Sequence, residues 1–318
     1  MKQKFVIAGG SGFIGSHLTA DLVRDGHEVV VLTRGEAAPR GGVRYVRWDA
    51  KTPDGAWAGE LRGAHGIINL AGANVGGGYW TRRRMAELLT SRVTPTSAIV
   101  GAIERMPAGE RPAVLANAAG IDYYGDRRDD TIVAEDGAPG DSFLARMSQA
   151  WEAAAEKAGP LGVRVARIRT AIVFGKEAPA FRLITLPVRF FVGPLGGGRQ
   201  WFTWIHIDDL VGVYRLALQD DRLSGPINAT APDVRRQRDV AREMGVVLHR
   251  RAVIPVPAPL INLALGSQSE LLLHGRRAAP AKAQAAGYTF RFGDLHEALE
   301  NLLRPSPTGR ARGAVAGP

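Results

Sequence analysis

The sequence predicts an α/β fold, a doubly wound parallel sheet carrying a smaller, mostly helical C-terminal lobe. Three observations point to it. Short apolar runs alternate with longer amphipathic ones through the first half of the chain, as expected of buried strands joined by helices. A glycine-spaced turn separates the first apolar run from the first helical one. The chain has 318 residues, 45% of them apolar, enough to bury a large core.

The first strand is expected over residues 4–8 and the first helix over 12–25. Between them Gly9, Gly12 and Gly15 stand at a G-x-x-G-x-x-G spacing. Gly9 permits the tight turn, Gly12 lets backbone N–H groups approach a pyrophosphate, and Gly15 lets the helix pack close to the strand. An anion there meets the positive end of the helix dipole. This is a Rossmann-type dinucleotide turn; the plain alternative is a glycine turn without a ligand. Further strands are expected over 28–32, 44–47, 66–70, 113–117 and 163–168, with helices over 82–105 and 141–158. Asp141 or Ser142 would cap the last helix.

After Gly175 the pattern loosens. Residues 179–191 suggest a helix, 193–199 a turn-rich loop, 201–205 a strand, 208–218 a helix and 226–229 a strand returning to the sheet. Residues 233–303 are mostly helical in pattern. The expected organisation is a nucleotide-binding domain over 1–175, its sheet completed by 201–230. A substrate-side lobe follows over 176–303, and a disordered tail over 304–318, rich in Pro, Gly, Arg and Ala.

Composition limits the partners. The net charge is +10, yet the basic residues are scattered and nearly all arginine; Lys2, Lys4, Lys51, Lys157, Lys176 and Lys282 are the only lysines. No aromatic residues interleave with them as a stacking platform, so a nucleic-acid partner is not expected. The absence of cysteine excludes disulfides, thiolate metal sites and a cysteine nucleophile. The seven histidines lack metal-ligand spacing, and no metal site is expected. No uninterrupted apolar run is long enough for a membrane span, and no small-residue cleavage site closes the N-terminal apolar run, so a cytoplasmic chain is expected.

Thr33 and Arg34 follow the second strand. An acidic residue there would suit a ribose 2′-hydroxyl, whereas a guanidinium suits a 2′-phosphate, so NADP(H) is the expected coenzyme. A solvated loop arginine is the alternative. Asp49 ends the third strand, where it would accept a bond from an adenine amino group or simply close a turn. Leu70, Ala71 and Gly72 follow the fourth strand and allow close backbone approach to the dinucleotide.

The chain resembles the extended short-chain dehydrogenase/reductases. More narrowly it resembles their atypical "epimerase family", an NAD(P)-dependent epimerase/dehydratase fold with a C-terminal domain of unknown function. The motifs that carry this are the run from Gly9 through Ser11, Phe13 and Ile14 to Gly15, Val31-Leu-Thr-Arg34, Asn69-Leu-Ala-Gly72 and Ser91-Arg92. Tyr123-Tyr-Gly125, Trp151-Glu152, Gly196-Gly-Gly-Arg-Gln200 and Trp204-Ile-His-Ile-Asp-Asp209 add to them, with Leu272-Leu-Leu-His-Gly-Arg-Arg277, Pro280 and Ala286-Gly-Tyr288 in the C-terminal domain. The match runs over residues 4–299. It implies NADP(H) binding by Ser11, Phe13, Ile14 and Arg92 beside the residues above, and a small-molecule substrate. Pairing of two copies through two long helices is common for this fold and is an analogy only.

The wider superfamily uses a Ser/Thr, a Tyr and a Lys four residues later to move a proton. Here no tyrosine has lysine at the fourth following position. The resemblance places Leu144 and Ser148 at the tyrosine and lysine positions and Ala119 or Gly120 at the hydroxyl position. Residues 98–130 contain no Ser or Thr. The nearest acid/base groups are Asp122, Tyr123 and Tyr124, with Arg127 and Arg128 placed to lower a phenol pKa electrostatically. The alternative is that both tyrosines pack and Asp122 closes a turn. His206 is either a proton donor or a partner for a backbone group at a helix start capped by Asp208. Arg169 and Arg199 bind an anionic substrate group or serve in ordinary pairing; Glu135 and Asp136 are expected in a solvated loop, with contact to a substrate as the alternative. Trp80, Trp201 and Trp204 line an aromatic pocket or belong to the core. The expected function is therefore an NADP(H)-dependent oxidoreductase acting on a small organic molecule. A non-redox cyclase, dehydratase or epimerase, and a catalytically silent NADP(H)-binding regulator, are the alternatives.

Overall fold

A computed structural model describes residues 2–35 and 41–304. The expected tail beyond Arg304 lies outside the described residues. The first half alternates strand and helix. Its elements are β1 (Lys4–Ala8), α1 (Phe13–Arg24), β2 (Glu28–Thr33), β3 (Val43–Arg47), β4 (Gly66–Asn69), α2 (Arg82–Glu104) and β5 (Val114–Gly120). A two-residue strand β6 (Ile132–Val133), helix α3 (Phe143–Glu156) and strand β7 (Arg164–Thr170) follow. Ser142, one of the two expected caps, accepts a bond from the Ala145 N–H and starts α3.

The remainder is β8 (Ile172–Phe174), α4 (Pro179–Arg189), β9 (Val192–Leu195), β10 (Trp201–Phe202), β11 (Trp204–His206), α5 (Ile207–Gln219) and β12 (Gly225–Ala229). Then come β13 (Arg235–Arg236), α6 (Gln237–Val247), β14 (Ile254–Val256), α7 (Ala258–Leu265), α8 (Glu270–Leu273), β15 (Arg277–Ala278), α9 (Ala281–Ala285) and α10 (Leu295–Leu303).

Seven strands form one parallel sheet in the order β12-β7-β5-β4-β1-β2-β3. The order reverses direction beside β1, and an open α/β sheet binds ligands at the carboxyl edge of that switch point. Both faces are covered, which explains why β1, β2 and β4 read as continuous apolar runs. One core cluster packs α1 and α5 on one face, and a second packs α2 on the other.

Two expectations change in the second half. Residues 201–205 are not one strand. β10 pairs antiparallel with β13, β11 pairs parallel with β8, and Thr203 breaks the run by donating its hydroxyl to the Arg276 carbonyl, 2.5 Å away. The turn-rich segment 193–199 begins as strand β9, paired with β14, and turns through Gly196, Gly197 and Gly198, all at positive φ. The smaller lobe is mostly helical, as expected, but four short ladders stitch it together and, through β15 and β6, to the segment that follows β5.

Candidate active site

The glycine turn has the geometry a diphosphate needs. Gly9 has φ +79°, and a Cβ on Gly15 would lie 2.4 Å from the Gly9 carbonyl oxygen. No side chain larger than hydrogen fits at Gly15 without moving backbone. Gly12 is the N-cap of α1 and, having no side chain, leaves the first-turn N–H groups without a side-chain cap. Ser11 and Gly12 are exposed, and Phe13 and Ile14 half-buried. The Phe13 ring packs over Gly175, where a Cβ would approach it to 2.5 Å. The cradle and the open helix start fit a dinucleotide diphosphate.

Thr33 ends β2 and accepts a bond from the Gly35 N–H through its hydroxyl. Arg34 beside it is exposed and has no ion-pair partner among the described residues. Asp49 takes the turn role: it accepts bonds from the Lys51 and Thr52 N–H groups (2.9 and 3.1 Å) and the Thr52 hydroxyl (2.6 Å). Those bonds hold its carboxyl down to about 2.

Behind Leu70, Ala71 and Gly72 lies a buried polar network that sequence reasoning missed. Asn69 donates to Thr96 (2.8 Å) and Asn117 (2.7 Å) and accepts from the Ala71 N–H (3.2 Å). Thr96 also accepts from Trp151 Nε1 (3.0 Å) and donates to the Arg92 carbonyl (2.7 Å). This satisfied network fixes the loop that follows β4. Ser91 and Arg92 clamp the next residue from both sides. Ser91 Oγ accepts from the Ala73 N–H and Arg92 donates to the Ala73 carbonyl, each at 3.0 Å. The Arg92 guanidinium also lies against Gly72, whose Cβ would come within 3.2 Å of it. Burial pulls the Arg92 pKa down to about 10.

At the end of β5 the two tyrosines diverge. Tyr124 is buried; its hydroxyl donates to Asn228 (2.7 Å) and accepts from Arg169 (2.7 Å). Burial pushes it up to about 12, although Arg169 acts in the opposite direction. Neither Arg127 nor Arg128 bonds the hydroxyl. Arg127 donates to the Tyr124 and Ala138 carbonyls, and Arg128 pairs with Asp126. Tyr123 is half-buried with its ring 3.5 Å from the Arg169 guanidinium carbon. Arg169 itself is a structural group, bonded bidentately to Glu152 at 2.7 and 3.0 Å. Glu135 is not in a solvated loop. It is buried and accepts from the Asn228 and Lys282 N–H groups, each at 3.1 Å.

Asp122 is half-buried and paired with Arg276, which the C-terminal lobe delivers. Sequence reasoning missed Arg276 as a site residue, although it lies in the Leu272–Arg277 motif. Leu144, Ser148 and Ala119 are all buried. Ser148 Oγ lies 2.9 Å from the position of a Cβ on Gly120. His206 is the true cap of α5: its Nδ1 accepts from the Asp208 N–H at 3.1 Å, so Asp208 is not the cap. Arg199 is exposed, while Trp80 and Trp204 are core. Trp201 is half-buried between Arg236 and Arg277. Among the described residues no cluster of His, Asp and Glu is arranged to hold a metal ion, and no helix is long and apolar enough to cross a membrane.

Residues 5–229 match the model of the NAD dependent epimerase/dehydratase family. The chain belongs to that family. Residues 256–302 match a domain of unknown function, DUF1731, which accounts for the C-terminal part of the lobe. Among its relatives, the epimerase family protein YfhF of Bacillus subtilis is 32% identical over 96% of this chain and 100% of its own length. The chloroplastic SDR39U1 homolog of Arabidopsis thaliana is 33% identical over 94% of this chain and 86% of its own. Among solved structures, human SDR39U1 (isoform 2) with NADPH superposes with a TM-score of 0.84 at 32% identity, covering 94% of this chain and 98% of that one.

Proposed function

We propose that this epimerase-family chain is an NADP(H)-dependent oxidoreductase acting on a small organic substrate at the carboxyl edge of β4 and β5. One observation carries the coenzyme assignment: the uncapped, glycine-lined start of α1 stands at the switch point, with exposed Arg34 at the end of the neighbouring β2. The similarity to human SDR39U1, crystallised with NADPH, supports it. Gly9, Ser11, Gly12, Phe13, Ile14 and Gly15 would hold the diphosphate, and Thr33 and Arg34 the 2′-phosphate. Leu70, Ala71 and Gly72 would line the middle of the molecule, with Arg92 shaping that wall.

When bound, NADP(H) supplies a hydride donor or acceptor. The chain's own task is to orient the substrate, exclude water and move a proton. The Tyr124 hydroxyl is occupied by Asn228 and Arg169, which leaves Tyr123 and Asp122 as the groups for the proton and for orientation. A conjugated double bond or an imine needs less help at oxygen than a ketone does, which suits a site with Leu144 and Ser148 at the superfamily's Tyr and Lys positions.

The coenzyme assignment is tested by fluorescence titration. Wild type should bind NADPH more tightly than NADH, and Arg34→Glu should weaken NADPH by about tenfold or more while sparing NADH. Folded protein that binds neither coenzyme overturns the proposal. For chemistry, Tyr123→Phe should lower turnover of an NADPH-consuming substrate by about a hundredfold with coenzyme affinity unchanged. The acidic Asp122 at the site also favours a second reading, a non-redox epimerase or dehydratase. Product formed by coenzyme-stripped protein would select it.

A further inference from the structure

We propose that Arg92 and Arg276 form a binding site for one carboxylate of the substrate, with Asp122 occupying Arg276 until that carboxylate arrives. The proposal rests on the preceding placement of the substrate and adds its chemical class. Arg276 is 6% exposed and Arg92 8%. Each is a guanidinium with an Nε that is buried and has no hydrogen-bond partner. A buried cation left partly unsatisfied is costly and calls for an explanation; Arg84 and Arg167 share the feature, but only Arg92 and Arg276 stand at the substrate edge of β4 and β5.

The backbone places both at one edge of the sheet. β4 and β5 are neighbours in register, Asn69 opposite Asn117. Gly72 and Gly120 each stand three residues beyond those partners, so both lie at the same sheet edge. Arg92 lies over Gly72, and the carboxylate of Asp122 lies 3.5 Å from the Cβ position of Gly120. Asp122 is bonded to Arg276 and also acts electrostatically on Arg92. The segment carrying Arg276 is pinned. Thr203 donates to its carbonyl, Arg127 N–H donates to the Gly275 carbonyl (2.7 Å), and Gly275 N–H donates to Asp126 (2.9 Å). The arginine is therefore held in place rather than drawn there by Asp122 alone.

Charge selects the ligand. The acceptors of Arg92 are the Leu88 and Ala73 carbonyls and the Ser91 hydroxyl, all neutral. Nearby Arg84 is offset by Glu87 at 2.9 Å. Two guanidinium groups against one carboxylate leave one surplus positive charge. A single carboxylate neutralises it, whereas a phosphate dianion or a diphosphate would overshoot. The coenzyme's own diphosphate already has a site at the start of α1.

Titration of coenzyme-free protein with benzoate, benzamide and inorganic phosphate, at constant ionic strength and read by thermal shift, tests this. Benzoate should give a saturable response and benzamide none. Arg276→Gln and Arg92→Gln should each weaken benzoate by about tenfold or more. Asp122→Asn removes the competing carboxylate and should tighten benzoate several-fold, a gain that loss of structure would not produce. An equal response to benzamide, a preference for phosphate over benzoate, or benzoate binding in Asp122→Asn no tighter than in wild type would overturn the proposal. So would benzoate affinity left unchanged in folded Arg276→Gln or Arg92→Gln. NADPH binding to wild type is measured separately. Its failure would remove the coenzyme reading, while the benzoate titration still reports on the arginines.

Discussion

At the scale of single residues, the geometry assigns His206 a titration-dependent role. The ring is buried, its Nδ1 caps α5, and Phe292 packs on it with ring centroids 4.0 Å apart. Burial lowers its pKa, only partly opposed by Asp208 and Asp209. The folded value thus lies below the unfolded one of about 6.5, so the stability of the neutral ring is complete above that pH and is lost as pH falls toward the folded value. His206→Asn keeps a capping acceptor and does not titrate. Chemical denaturation should show wild type losing stability on acidification from about pH 6.5 to 5 more steeply than this variant. Gly15→Ala places a methyl group 2.4 Å from the Gly9 carbonyl oxygen. NADPH affinity should fall by about a hundredfold or more, because the turn must move away from the diphosphate position. The glycines were legible in the sequence because a backbone requirement admits one residue type. Thr96, Asn69 and Asn117 were not, because a lone polar residue in an apolar run carries no sign of its partner.

At the scale of elements, the parallel strands were legible because burial on both faces makes them apolar throughout. Their pairing with helices 12 or more residues long did the rest. The two-residue ladders β6–β15 and β10–β13 were not legible, since two residues have no period. Nor were the elements joined by buried charge. Glu152 of α3 holds Arg169 of β7, which reaches Tyr124 after β5, and Tyr124 reaches Asn228 of β12. Arg167 of β7 adds a second contact to Glu152 at 3.3 Å. Glu152→Ala leaves the buried Arg169 guanidinium without its carboxylate, while Arg167 keeps Glu156 at 2.6 Å. It should destabilise the protein by about 3–5 kcal/mol in urea unfolding. Replacing Glu152 and Arg169 together with apolar residues of similar volume should recover much of that loss.

At the scale of the whole molecule, the C-terminal segments are part of the main core. Asp209, buried at the start of α5, accepts bonds from the Arg291 and Phe292 N–H groups (2.8 and 2.9 Å) and the Tyr288 hydroxyl (3.1 Å). Gly212 has no side chain, and its missing Cβ would lie 2.0 Å from that hydroxyl. Asp209→Ala strands several donors at this junction and should cost about 3 kcal/mol or more, read as a lowered Tm. Tyr288 was legible as a motif but not as a junction, because its acceptor is 79 positions away. Arg276 escaped notice for the same reason.

The largest core cluster includes Ile7, Val31 and Ile168 from the front of the chain and Ala278 and Ala283 from near its end. A ribosome makes those parts in order. The patch of the nascent core that Ala278 and Ala283 cover therefore stays open until those residues emerge. This chain should depend on chaperones during its synthesis more than its regular first half would suggest.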